Sequence, residues 1–252
     1  MNNFTFYSPT LFAFGQGEAS RVGALVRQFG GSKVLLVAGG GSVRKNGAYD
    51  AAAVSLKEAG IPWCELWGVQ ANPRSGKVYE GIDLARTEGA DFLLAIGGGS
   101  VMDTSKIISV MMTNPGYYDD LTDQSKIVNR GAPLLVAPTS AGTGSEATPN
   151  AIVLIPEKKL KVGVVHPYFL PCRVLLDPEL TKSLPKSVTA STGVDAFCHC
   201  IETYISRKTN PFARVFGLKG IELISKYLRR AYEDGSDMEA RENMLLAAFY
   251  GG

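Results

Sequence analysis

The chain has 252 residues, 45% of them apolar and 20% charged, with 28 glycines and a formal net charge of +2, enough to bury one large core or two ordinary ones. So small and dispersed a positive charge excludes steering toward nucleic acid or an anionic membrane as the basis of function, and no window approaches the roughly eighteen consecutive apolar residues of a membrane-crossing helix. The opening MNNFTFYSPTLF lacks the basic flank and apolar core of a signal peptide, and Cys64, Cys172, Cys198 and Cys200 show no C-x-x-C spacing, so a cytoplasmic protein with reduced thiols is expected.

Residues 18–29 carry apolar positions at three- and four-residue spacing and predict a helix; 34–38 predict a strand that ends in the GGGS of 39–42. A helix over 46–59, a strand over 63–67 and a helix over 75–88 follow. The strand predicted at 92–96 stops at Gly97, Gly98, Gly99 and Ser100 and turns helical. Unpaired N–H groups and the positive dipole end of such a helix attract phosphate, and glycine lets it approach the backbone. A strand at 134–137 then leads into the polar loop PTSAGTGSEAT of 138–148. This alternation predicts an α/β fold with a parallel sheet. Residues 151–165 read as an antiparallel hairpin laid onto the sheet, and Leu175 and Leu176 run into Asp177-Pro178. Beyond SLPKS, at 183–187, strand signals cease, and helices are predicted over 188–206, 211–230 and 238–250. Pro211 after Asn210 suits a first helical turn, and Asp234-Gly235-Ser236 is a break. These changes divide the chain into a dinucleotide-binding α/β domain at 1–182 and a helical domain at 183–252. The closing LLAAFYGG reads as a cut rather than a natural terminus. The helical domain is then incomplete, with apolar faces that predict self-association or marginal stability.

The first GGGS loop stands where a nucleotide-binding sheet meets the adenosine ribose, and an acid there would bind both ribose hydroxyls and repel a 2′-phosphate. The loop offers none. Gly40 and Ser42, with Arg44 and Lys45, leave room for a phosphate and supply a hydroxyl and cations, which favours NADP(H) over NAD(H); simple solvation of a helix start is the alternative for the two cations. In the 138–148 loop, the hydroxyls of Thr139, Ser140, Thr143 and Ser145 and the N–H groups around Gly142 and Gly144 bracket the phosphates from the far side. Asp195 and His199, four apart on one helix face, have metal-ligand spacing. The pair suits divalent iron or zinc, although two ligands are too few for a tight site, and a surface ion pair is the alternative.

Four motifs, GGGSVMD at 97–103, PTSAGTGSE at 138–146, LLDPEL at 175–180 and TGVDAFCHCIETYIS at 192–206, resemble in order and spacing the iron-containing, or group III, alcohol dehydrogenase family. MNNFTFYSPT, the GGGS at 39–42 and QANPR at 70–74 look most like its branch of NADP(H)-dependent butanol dehydrogenases and aldehyde reductases. The resemblance implies a Rossmann-like N-terminal domain and part of an all-helical C-terminal domain, a dehydroquinate synthase-like architecture with the active site in the cleft between them. It implies Gly98, Gly99, Ser100 and Asp103 as the pyrophosphate loop and its helix, Asn72 beside the cofactor, Thr139, Thr143 and Ser145 as the second cofactor loop, and Val153, Lys161 and Leu180 as further cofactor contacts. It makes Asp195 and His199 the first two catalytic metal ligands, for Fe2+ or Zn2+. Reversible interconversion of small primary alcohols and aldehydes by a homo-oligomer follows from the same resemblance. Family members complete the metal site with two further histidines downstream. This sequence has two histidines in all, and His166 reads as a loop residue. Glu202, Cys198 and Cys200 are not expected to substitute. Impaired turnover is therefore expected, with a non-catalytic NADP(H)-binding or assembly module and a glycerol dehydrogenase-like enzyme as alternatives.

Overall fold

A computed structural model describes residues 3–5 and 7–252; Met1, Asn2 and Phe6 of the MNNFTFYSPT opening lie outside the described residues. Strands β1 (Leu11–Phe14), β2 (Val34–Ala38), β3 (Trp63–Leu66), β4 (Phe92–Gly97), β5 (Leu134–Pro138) and β8 (Arg173–Leu176) form a parallel sheet in the order β1-β8-β5-β4-β2-β3. Every residue of β2, β4, β5 and β8 is buried, as continuous apolar runs require when helices cover both faces. Successive side chains part company: Leu35, Val37, Leu93, Ala95 and Val136 enter one core, and Val34, Leu36, Phe92, Leu94 and Leu135 the other.

One face is covered by α1 (Val22–Gln28), α2 (Ser42–Lys45) and α3 (Ala48–Glu58) through Val22, Val26, Val43, Ala52 and Leu56. The other is covered by α4 (Ser75–Glu88) and α5 (Gly99–Thr113) through Val78, Ile82, Ile107 and Val110. The helix expected over 18–29 is broken by a 3-10 turn over Glu18–Arg21 before α1, whereas the one expected over 46–59 is α3, with the short α2 and Gly47, at φ 78°, ahead of it. At Gly23 the two helices nearly touch: a Cβ there would lie 2.8 Å from the Ala59 Cβ and would collide with the Ser55 carbonyl, while the Gly23 N–H donates to Ser55 Oγ at 2.9 Å.

The hairpin β6 (Asn150–Ile155) and β7 (Leu160–Val165) is antiparallel as expected, but it is a separate two-stranded sheet rather than a layer on the main one. Ala151, Val153, Ile155 and Val164 are buried in the core that holds α4 and α5, and β6 packs directly on α5. The Leu154 N–H donates to the Pro73 carbonyl at 2.8 Å and anchors the hairpin to the loop before α4.

Helices α6 (Lys186–Ile205), α7 (Pro211–Glu233) and α8 (Met238–Gly251) pack on one another. Asn210 Oδ1 accepts from the Ala213 N–H at 3.0 Å and Asp237 Oδ1 from the Ala240 N–H at 3.0 Å, capping α7 and α8. Buried Arg241 reaches from α8 to Thr189 Oγ1 on α6 at 2.9 Å. Val194, Ile205, Val215 and Leu218 remain exposed, in keeping with the apolar faces expected of these helices. Among the described residues no helix is long and apolar enough to cross a membrane.

Gly23→Ala sets two effects against each other. Alanine favours a helix interior by about 1 kcal/mol, but a methyl driven into backbone forces α1 and α3 apart at about 1–3 kcal/mol. The backbone clash wins, and a lower urea midpoint with an unchanged m-value is the expected result.

Candidate functional site

The strand order reverses between β2 and β4, so their C-terminal ends open a crevice, the place where ligands bind in such sheets. Both glycine loops flank it. A crevice of about 200 Å³ is lined by Gly39, Ser42 and Val43 after β2, by Val69, Gln70 and Ala71, by Gly97 to Ser100 after β4, and by Thr139. It shares Gly99 and Ser100 with a larger cleft of about 570 Å³. Asn72, Asp103, Thr143, Ser145 and Lys161 line that cleft on the α/β side, and Asp195, His199 and Glu202 on α6.

Helix α5 opens at the junction of the two, with Gly98 extended before it and no side chain capping its first turn. Its free N–H groups therefore face the path. A Cβ on Gly98 would lie 2.9 Å from Ser140 Oγ, and one on Gly99 would lie 2.8 Å from Thr143 Oγ1. Glycine is thus demanded by the close approach of the second loop. That loop is pressed equally from its far side, where Cβ atoms on Gly142 and Gly144 would meet Thr192 of α6 at 2.7 Å and the Ala248 carbonyl of α8 at 2.6 Å. Gly144 has φ 59°. The fit to a dinucleotide is good: an uncapped helix start, a glycine cradle and hydroxyls on both rims.

Beneath the loop lies a charge cluster of which sequence reading singled out only Asp103. Lys106 is fully buried on α5, and its Nζ donates toward Ser145 O (2.5 Å), Ser145 Oγ (2.9 Å), Thr148 O (2.9 Å), Thr148 Oγ1 (3.2 Å) and Asn150 O (2.8 Å). Asp103, one turn earlier, accepts from Ser145 Oγ at 2.6 Å and from the Ile152 N–H at 3.0 Å. Burial pushes the Asp103 carboxyl upward, against the pull of Lys106 and these donors. It lowers Lys106 to about 8 although Asp103 and Glu146 oppose it. Burial also raises Glu146 to about 7. The available signal was a lysine one turn after an aspartate in a helix with no other charged residue.

On the opposite wall, Asp195 Oδ1 and His199 Nε2 stand 3.8 Å apart, both partly exposed to the cleft. A carboxylate and an imidazole so placed fit two positions around a divalent ion. Among the described residues no group of three or more His, Cys, Asp or Glu side chains is disposed to hold a metal. Cys200 is buried against Gly220 and α8, and Cys198 is exposed. His166 accepts from the Tyr168 N–H at 3.2 Å in the loop after β7, away from the cleft.

The remaining expected contacts divide. Asn72, at φ 56°, accepts from Lys161 Nζ at 2.7 Å and so links the turn before α4 to the hairpin across the cleft rim. Gly40 is exposed on the first loop, and Ser140 sits over Gly98. Two further expected contacts turn their side chains inward. The Val153 side chain is fully buried in the core under the hairpin, and Leu180 is buried among the residues below β2 with its carbonyl accepting from Asn46 Nδ2 at 2.9 Å. Neither side chain reaches the cleft, because each faces inward from its element.

Comparison with known proteins accords with this geometry. A family model described as iron-containing alcohol dehydrogenase matches residues 9–178, and one for the C-terminal part of the Fe-containing alcohol dehydrogenase family matches 189–252. Alcohol dehydrogenase 4 of Schizosaccharomyces pombe is 37% identical over 247 residues, covering 98% of this chain and 58% of its own. Choline dehydrogenase of Bacillus subtilis is 39% identical over 251 residues, covering 98% and 62%. The crystal structure of NADH-dependent butanol dehydrogenase A from Thermotoga maritima has a TM-score of 0.93 at 33% identity, over 100% of this chain and 63% of its own. The chain spans about three fifths of the length of the curated relatives it matches.

The buried acid Glu146 gives stability a pH dependence of definite sign. Its folded pKa, about 7, lies above the ordinary 4.5, so between those values the folded protein holds the extra proton and stability falls as pH rises. Urea midpoints measured from pH 4.5 to 7.5 should fall by less in Glu146→Gln than in the parent; parallel curves would refute the assignment.

Proposed function

The chain belongs to the iron-containing alcohol dehydrogenase family, and from that we propose that it interconverts small primary alcohols and aldehydes with NADP(H). The observation that carries the reading is the continuity of the cleft: the uncapped start of α5, with Gly99 and Ser100, and the Asp195/His199 pair line the same space. The bound groups supply the chemistry, hydride exchange at the nicotinamide and Lewis acidity from divalent iron or zinc.

The protein's own residues do the rest. N–H groups at Gly99 and Ser100 receive the pyrophosphate at the positive end of α5. Thr139, Thr143 and Ser145 border it from the second loop, which Lys106 and Asp103 hold in place. Asn72 and Lys161 close the hairpin side. Asp195 and His199 supply two ligands from α6 and fix where the substrate oxygen stands relative to the cofactor. Gly40, Ser42, Arg44 and Lys45 make the first loop suited to a 2′-phosphate. Several relatives are named for NAD or NADH, so the preference for NADP(H) rests on that loop chemistry alone. A cytoplasmic homo-oligomer is the assembly we infer. A second reading, an NADP(H)-binding module without turnover, is favoured by the two-membered donor set on α6.

Mixing this 252-residue chain with NADPH and butyraldehyde, in the presence of iron, zinc or neither, separates the two readings. Metal-dependent loss of NADPH absorbance is expected, reduced roughly a hundredfold or more in His199→Ala while NADPH affinity stays within about twofold. NADPH binding without turnover under any metal condition would leave the module reading in place of the enzyme.

A further inference from the structure

Beside the first glycine loop, four side chains form an arrangement that neither the sheet nor the helices require. The Arg44 guanidinium lies 4.4 Å from the centre of the Tyr49 ring and 4.3 Å from that of Trp67. Those rings stand 5.4 Å apart, inclined at 52°. Glu65, on the edge strand β3, fixes them both. Its Oε1 accepts from Tyr49 Oη at 2.5 Å and from Trp63 Nε1 at 2.9 Å, and its Oε2 accepts from Trp67 Nε1 at 2.6 Å. Burial alone would raise the Glu65 pKa, but these three donors and Arg44 outweigh it and hold the carboxyl below its ordinary range.

The guanidinium is held by its faces. Its nearest approach to Glu65 is 3.8 Å, and it remains about half exposed, so its N–H edges stay open to an anion. The position is tied to the crevice by main chain: the Gly68 N–H, next to Trp67, donates to the Gly39 carbonyl at 2.9 Å, and Ser42 and Val43, just before Arg44, line the crevice itself. A free arginine loses side-chain entropy on gripping a phosphate; one already packed over two rings loses less.

We propose that Tyr49, Trp67 and Glu65 form a cage that presents Arg44 to the 2′-phosphate of NADP(H), with Trp67 as a positioning residue for cofactor choice. The proposal rests on the cofactor reading above. It makes Trp67 act only through Arg44 and only on the phosphorylated cofactor.

Dissociation constants for NADPH and NADH, measured by fluorescence titration in the absence of metal, test it on the parent chain, Arg44→Ala, Trp67→Leu, Trp67→Phe and the Arg44→Ala/Trp67→Leu pair. Arg44→Ala should weaken NADPH on the order of tenfold, the scale of one lost charge-assisted hydrogen bond. Trp67→Leu should weaken it several-fold, and the double variant no more than Arg44→Ala alone, since the two share one mechanism. Trp67→Phe, which keeps a ring face, should retain selectivity. NADH affinity should stay within about twofold throughout, which also shows that each variant folds. If the parent prefers NADPH but Trp67→Leu keeps that preference, or if the two losses add, the cage is overturned and the cofactor reading stands. If the parent binds NADPH no more tightly than NADH, both fall.

Discussion

The buried ammonium of Lys106 is the interaction on which the candidate site depends. Transferring an isolated ammonium from water to an apolar interior is strongly unfavourable, yet this one is fully buried on α5. Its three N–H bonds are shared among five oxygens of Ser145, Thr148 and Asn150. Those oxygens belong to the 138–148 loop and the first residue of the hairpin. The loop has little apolar material of its own to pack, so its path is set by the need to satisfy the ammonium. Asp103 completes the arrangement by taking the Ser145 hydroxyl and the Ile152 N–H. One helix therefore offers its first turn to the cleft and, from its second turn on, organises the loop facing that cleft.

The glycines acquire their meaning from the same constraint. Once Lys106 draws the loop down onto α5, the loop backbone passes too close to α5, α6 and α8 for side chains at Gly99, Gly142 and Gly144. The contacts at Thr192 and Ala248 carry the constraint into the helical part of the chain. Asp195 lies three residues beyond Thr192 on α6, so the distance from the phosphate end of the cleft to the Asp195/His199 pair is fixed by close-packed backbone rather than by flexible side chains.

Legibility followed the range of the forces involved. Strands β2, β4 and β5 and helix α4 were readable because a continuous apolar run and a 3.6-residue period are local signals. β1 was not. It has four residues at the sheet edge, none of them fully buried, and owes its conformation to pairing with β8 more than 150 residues away. The hairpin was legible as a hairpin, but its partner was not: α5 intervenes between it and the main sheet, and nothing in a two-residue period says which surface will cover it. In the site, glycine loops and the i, i+4 pair on α6 carry their chemistry in their spacing. Lys106 and Glu146 do not, since a lone lysine or glutamate reads as a solvated charge until the fold encloses it.

The same limit applies to the acid at the ribose end. Reading residues 39–45 alone, no carboxylate is present, and a 2′-phosphate meets no repulsion. The parallel pairing of β2 with β3, however, sets Leu36 opposite Glu65 and brings a carboxylate to the flank of the loop from some twenty residues downstream. That carboxylate is not a free ribose acceptor. Tyr49, Trp63 and Trp67 occupy it, and Arg44 lies over the Tyr49 and Trp67 rings. An anionic group committed to three donors has less capacity left for a ribose hydroxyl, while the Arg44 guanidinium beside the loop stays about half exposed. On the cofactor reading proposed above, selectivity at this end of the cleft turns on how much of the Glu65 charge Arg44 cancels, a balance set by side chains on α2, α3 and β3 and by Trp67 just after it rather than by the glycine loop alone.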